Sequence, residues 1–232
     1  MKLDTLVQEV VAQGGPVLCV DTCSVLDLLR DPTRDDVRTH NISSALDMVA
    51  GMEAGGLTCL VADQVRKELA EHLDQIQEDA KIQLQKLTDR VNRVNLIAAL
   101  FGQVGAVNLA HLDGHEQRAR QIVQKLIDVA KFVPQGAQIA GLAFTRVVGP
   151  KAPARQGKDS IKDCVVIETY FDVIRALRKD GLQSKIVFLS SNTKDYMGNQ
   201  SNALHADLVP EFQELGIEYA PNASAAKHFL GV

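Results

Sequence analysis

Val17-Leu18-Cys19-Val20-Asp21-Thr22 is a short apolar run that breaks on an acid, with Gly14-Gly15-Pro16 in front of it. A run of that length, bounded by turn residues, reads as a core strand. Asp21 falls where the strand gives way to a helix, which starts at Thr22 and runs to Leu29. In open α/β sheets that carboxyl edge is where ligands bind. Further out, Leu57 to Ala62 and Ile186 to Leu189 are apolar runs of the same kind, and Gly216 to Ala220 reads as an edge strand. Buried strands separated by helical stretches predict an α/β fold, a parallel central sheet flanked by helices.

The segments between the strands carry helical periodicity. Leu3, Leu6, Val7, Val10 and Val11 mark a first helix closed by Gly14-Gly15, and residues 35–54 a further one ended by Gly55-Gly56. After Asp63, a candidate cap, Val65, Leu69, Leu73 and Ile76 share one face. The pattern continues through Ile82, Leu84, Leu87, Val91 and Val94 towards Leu100, and another helix is expected from Asp113 to Val133. These two predict an antiparallel helical hairpin, a lid on the core or a surface for a partner. Pro134 to Lys158 has Gly, Pro and Ala with little period and predicts a basic loop, with a short ordered piece around Ile139 to Phe144. Asp159 to Arg178 is a strong amphipathic helix, and Asn222 to Leu230 a terminal one. The expected organisation is one domain over residues 1–232, with the helical insertion at 70–133 and the basic loop at 134–158.

Composition narrows the function classes. The 232 residues carry a formal net charge of −4, so contact with nucleic acid must rest on local patches. Aromatics make up 4% and Trp is absent, which weighs against a single-strand binder built on stacking platforms. Cys19, Cys23, Cys59 and Cys164 show no zinc-ribbon spacing, and three of them sit in apolar runs as small buried hydrophobes of a reducing compartment. No secretory-type start and no stretch long enough to span a bilayer is visible, so a cytoplasmic location without a membrane partner is expected.

Several acids stand near predicted strand or helix ends: Asp21, Glu68, Asp163 and Asp195. Acids that converge at a sheet edge repel one another and are tolerated when a hard divalent cation neutralises them. Each also has a plainer reading. Asp21 can cap the following helix, Glu68 can pair with Lys67 or His72 in solvent, and Asp163 can complement a helix dipole, as can Asp159 on the same face. Ser190, Ser191, Asn192 and Asp195 can form an Asx-type turn that stabilises its own backbone. Glu168, among apolar neighbours, is an unusual surface acid.

Four stretches, VDTCSVLDLL, VRKELAEH, KDCVVIE and VFLSSNTKDY, occur in this order within residues 17–196 and together resemble the PIN domain family, in its longer bacterial and phage branch. The resemblance implies a parallel sheet sandwiched by helices and a metal-dependent endoribonuclease. It implies that Asp21, Glu68, Asp163 and Asp195 are the catalytic acids and ligands of Mg²⁺ or Mn²⁺. It implies that a water activated by the ion attacks a backbone phosphate in line with the leaving oxygen. Thr22 and Ser191 would orient water or phosphate, and Asn192 stands where the family often has an acid. Cys23 stands where Asn is common, which removes an expected hydrogen bond.

Substrate contacts are expected from the Arg146 to Lys158 stretch, notably Arg155 and Lys158, with Lys162 and Arg66 nearby in sequence. The partners expected are RNA, a second copy of the chain and a protein inhibitor. The alternative is a PIN-like module that binds RNA or protein without cutting. A haloacid-dehalogenase-type phosphatase also opens on a strand ending in Asp, but it wants an acid where Cys23 stands. No GxxxxGK[ST] or GxGxxG motif is present, and His111 and His115 lack an accompanying acid motif such as HExxH.

Overall fold

The computed structural model describes residues 2–103, 105–155, 160–198 and 203–232. In chain order the elements are α1 (Leu3–Gln13), β1 (Val17–Val20), α2 (Thr22–Leu26), α3 (Thr39–Glu53), β2 (Thr58–Ala62), α4 (Asp63–Leu100), α5 (His115–Val129) and β3 (Lys131–Val133). There follow α6 (Ile139–Val148), α7 (Ile161–Lys179), β4 (Ile186–Leu189), α8 (Thr193–Tyr196), α9 (Val209–Leu215), β5 (Ile217–Ala220) and α10 (Ala223–Leu230).

The five strands form one sheet in the order β3-β2-β1-β4-β5, all parallel. Val17 of β1 pairs with Thr58 of β2 on one side and Ile186 of β4 on the other, so all three strands begin level, and β2 runs one residue past the other two at the carboxyl end. Every residue of β1, β2 and β4 is buried, which is why they read as unbroken apolar runs rather than alternating ones. The chain starts in mid-sheet, winds out to β3, then crosses back to β4 on the other side of β1. Strand order therefore reverses between β1 and β4, and a crevice opens beyond their carboxyl ends.

Helix α7 is buried along most of its length and pins that edge of the sheet. The Tyr170 hydroxyl donates to the carbonyl of Val20 at 2.5 Å and accepts the N–H of Ala62 at 3.0 Å, tying together the last residues of β1 and β2. Both strands hand over at once to the segments that carry Asp21 and Glu68.

Three expectations change. Asp63 does not cap α4; it lies in the first turn and holds Arg66 at 2.9 Å and Lys67 at 3.3 Å, where an acid complements the helix dipole. The helix expected to reach Val133 ends at Val129, and Lys131–Val133 is the edge strand β3, paired with Leu60 to Ala62. The expected basic loop at 134–158 contains α6, whose inward face is Ile139, Ala143 and, unexpectedly, Arg146.

The hairpin is present, but its arms are unequal. Helix α4 has 38 residues, a rod of about 57 Å. Helix α5 has 15 and returns along the first half only, Arg120 reaching Asp74 at 3.0 Å. Beyond that cover Leu96, Leu100 and Phe101 are exposed. Among the described residues no helix is long and apolar enough to cross a membrane.

Candidate functional site

The site forms where the turn after β1 meets the turn after β4. Backbone first: the N–H of Asp21 donates to the Leu189 carbonyl at 2.9 Å, carrying the strand pairing one residue past β1. The N–H of Ser191 donates to the Ser24 hydroxyl at 2.8 Å, and the Ser190 hydroxyl donates to Asp21 Oδ2 at 2.6 Å. Two polar turns are thus laced side to side at the switch point.

Asp21 is only 5% exposed. Its Oδ1 accepts the N–H of Thr22 at 2.8 Å, so the capping reading holds in part. Its Oδ2 accepts from Ser190 and from the Cys23 thiol at 3.2 Å. Burial pushes the carboxyl pKa up, these three hydrogen bonds pull it back, and the nearby Glu68 raises it again. Cys23 does not leave a gap where the family commonly has Asn: its sulfur takes the hydrogen-bonding place beside Asp21. Burial, with Asp21 adding to it, pushes that thiol up to about 12, so it stays protonated and donating.

Glu68 does not pair with Lys67, which is engaged by Asp63. Its Oε2 accepts from the Thr22 hydroxyl at 2.6 Å and its Oε1 from Gln64 at 2.9 Å. Thr22, expected to orient water or phosphate, instead spends its hydroxyl on joining Asp21's turn to α4. Asp163 sits in the first turn of α7. Asp21, Glu68 and Asp163 line one cavity of about 780 Å³, together with Thr22, Ser191 and Asn192.

The remaining expectations fare differently. Asp195 is buried at 2% exposure and does not line that cavity. Arg155 meets its Oδ1 at 2.9 Å and Asn192 donates to its Oδ2 at 2.6 Å. Arg155 is therefore engaged by an acid of its own chain, and Lys158 lies outside the described residues. Arg146 is buried as well, bonded to Glu168 at 2.6 Å, to Glu211 at 2.8 Å and to the Ala152 carbonyl. That pairing explains Glu168. Lys151 also goes to Glu211, at 2.8 Å, and Lys162 to Glu71, at 3.4 Å. Arg66 is held by Asp63 and lies over the Phe132 ring. Sequence showed these cations without the acids that three-dimensional packing brings to them.

Sequence reasoning gave Ser190 only a place in a turn that stabilises itself; it is fully buried, donates to Asp21 and accepts the Asn192 N–H at 3.2 Å. Its signal was its place as the first polar residue after Ile186–Leu189. The same reasoning missed Arg30, Arg34, Arg38 and Asn41, all of which line the cavity. Arginines four apart were visible, but Asp27, Asp31, Asp35 and Asp36 beside them hid the net effect.

In donor chemistry the three carboxylates fit a hard divalent cation: all offer oxygen, and Asp21 feels the charge of Glu68. They are not gathered into a closed cage. Among the described residues no group of three or more His, Cys, Asp and Glu stands close enough to hold an ion. The comparisons bear on the whole arrangement. No curated protein and no solved structure matches the chain. A family model described as PIN domain matches residues 18–196, from the second residue of β1 through α8. With that span covering most of its length, four of the five strands and both turns of the site, the chain belongs to the PIN domain family.

Proposed function

We propose that the protein is a metal-dependent endoribonuclease, hydrolysing RNA phosphodiester bonds with Mg²⁺ or Mn²⁺ held by Asp21, Glu68 and Asp163. PIN domains are in general nucleases that use divalent metals. The observation that carries the reading here is the meeting of three carboxylates, from the end of β1, from α4 and from α7, in one cavity at the topological switch point. When bound, such an ion supplies the positive charge that acidifies a water and offsets charge building on the phosphate.

The chain's own residues supply the rest. Ser190, Cys23 and the Thr22 N–H fix the Asp21 carboxylate from behind. Thr22 and Gln64 hold Glu68 so that α4 moves with Asp21's turn. Asn192 is held at the cavity edge by Ser190 and Asp195, which makes Asp195 a positioning residue in this account.

One observation favours a second reading, a module that binds RNA or protein without cutting. Asp195, the fourth acid expected at the metal, is taken up by Arg155 and Asn192. The two readings part on single substitutions. Asp163→Asn and Glu68→Gln should each lower the cleavage rate of single-stranded RNA in Mn²⁺ by at least about 100-fold, with the fold intact by circular dichroism. Cleavage that survives both substitutions would remove the carboxylates from the chemistry.

A further inference from the structure

The cavity that holds the three carboxylates is much larger than a metal ion and its waters need. It continues between α2 and α3, where its wall is aliphatic: Val37, Ile42, Ala45 and Met48. No aromatic ring lines it among the described residues. On that wall the side-chain oxygen of Asn41 is buried and meets no hydrogen-bond partner. A buried acceptor left without a donor is costly, and a site built to accept a donor from a ligand is where such an atom is tolerated. Arg38 and Lys194 are exposed, line the same cavity and meet no ion-pair partner among the described residues, whereas Arg30 and Arg34 are occupied by Asp27 and Asp36.

We propose that the cavity takes one unstacked nucleotide of single-stranded RNA beside the carboxylates. Its base lies on the aliphatic wall of α3 with an N–H edge on Asn41, and its flanking phosphates lie at Arg38 and Lys194. This rests on the nuclease reading for the choice of RNA, but the pocket itself does not depend on catalysis. The volume of about 780 Å³ falls in the range of about 300–1,000 Å³ usual for small-molecule sites. A concave pocket admits a base only when that base is free of its pairing partner, so duplex RNA is excluded. With aliphatic side chains in place of a stacking ring, selectivity falls to the Asn41 oxygen, an acceptor that takes the exocyclic amino group of A or C more freely than the U N3–H, which stands between two carbonyl oxygens. The basic stretch at 146–158 has no such role through Arg146, Lys151 or Arg155, whose charges are met by Glu168, Glu211 and Asp195.

The test is equilibrium binding in EDTA, where nothing is cut. Labelled homopolymeric single strands of A, C and U and a mixed duplex are titrated with the full chain and followed by fluorescence polarisation. Wild type should bind the A and C strands about tenfold more tightly than the U strand and bind duplex most weakly. Asn41→Leu should erase that preference while keeping the affinity for the U strand. Arg38→Ala should weaken all single strands alike and lower the slope of log affinity on log salt by about 1. Ile42→Trp, which fills the cavity from the neighbouring position, should weaken all of them and guards against a misfolded Asn41 variant. A base preference untouched by Asn41→Leu, affinities untouched by Ile42→Trp, or duplex bound as well as single strand would each overturn the proposal. Preference that depends on Asn41 in a protein that never cleaves would keep the pocket and remove the nuclease. Cleavage with no role for Asn41 would do the reverse.

Discussion

Asp21→Asn should reduce metal-dependent cleavage by at least about 10³-fold and, in EDTA at neutral pH, melt above wild type. Loss of activity follows from the place of Asp21 between β1, α2 and Ser190, where no other carboxylate can substitute. The gain in stability follows from linkage. Burial raises the folded-state pKa of Asp21 above its ordinary 3.8, with the nearby Glu68 adding to it. An acid that holds its proton more tightly when folded stabilises the fold at low pH. That advantage is lost as pH climbs from the unfolded pKa through the folded one, and the deficit then persists. The amide keeps the bond from the Thr22 N–H and can donate to Ser190 without burying a charge. The difference in melting temperature between variant and wild type should therefore widen from acid to neutral pH and close again below about pH 4. Mn²⁺ should raise the melting temperature of wild type and leave the variant unmoved, since only a site that binds the ion gains from it. A variant less stable than wild type at neutral pH would show that Asp21 serves the fold more than the site.

Arg146→Met should destabilise the protein by about 3–5 kcal/mol, a large share of the roughly 5–15 kcal/mol typical of a folded domain. The Arg146 side chain is 3% exposed and Glu168 opposite it 9%. Burial works against the guanidinium charge, but Glu211 and Glu168 more than offset it and keep its pKa raised. Removing Arg146 leaves Glu211 with Lys151 at 2.8 Å, whereas no other cation is seen on Glu168 among the described residues. The cost thus falls on one stranded carboxylate. Adding Glu168→Leu to Arg146→Met should recover much of the loss, because a buried pair replaced whole by apolar groups is often near neutral. Urea denaturation followed by circular dichroism measures both. If the double variant is no more stable than Arg146→Met alone, the ion pair is not the source of the effect.

These two residues mark where sequence was readable and where it was not. Asp21 stood out because four buried apolar residues lead straight into it, and β1, β2 and β4 were legible for the same reason. Strand β3 was hidden: three residues long, it begins on Lys131 and follows α5 after one residue. Helix α6 has an inward stripe of Ile139, Ala143 and Arg146, and a charged member disguises the period. The acids Asp21, Glu68 and Asp163 were visible singly, while their meeting depends on the β1–β4 switch that only topology supplies. Asn41 gave no signal at all, since a lone Asn near a helix start reads as capping chemistry. The cations misled for a simpler reason: pairing between Arg146 and Glu211 spans 65 residues, and no local pattern announces it.

The most direct test of the account is cleavage of a mixed-sequence single-stranded RNA by the purified chain, first with Mn²⁺, then with EDTA, then with Mn²⁺ restored in excess. The carboxylate cavity predicts internal cuts that stop on chelation and resume when the ion returns. Cuts that continue in EDTA, or none under any of the three conditions while the RNA is bound, would contradict a metal-dependent nuclease at Asp21, Glu68 and Asp163.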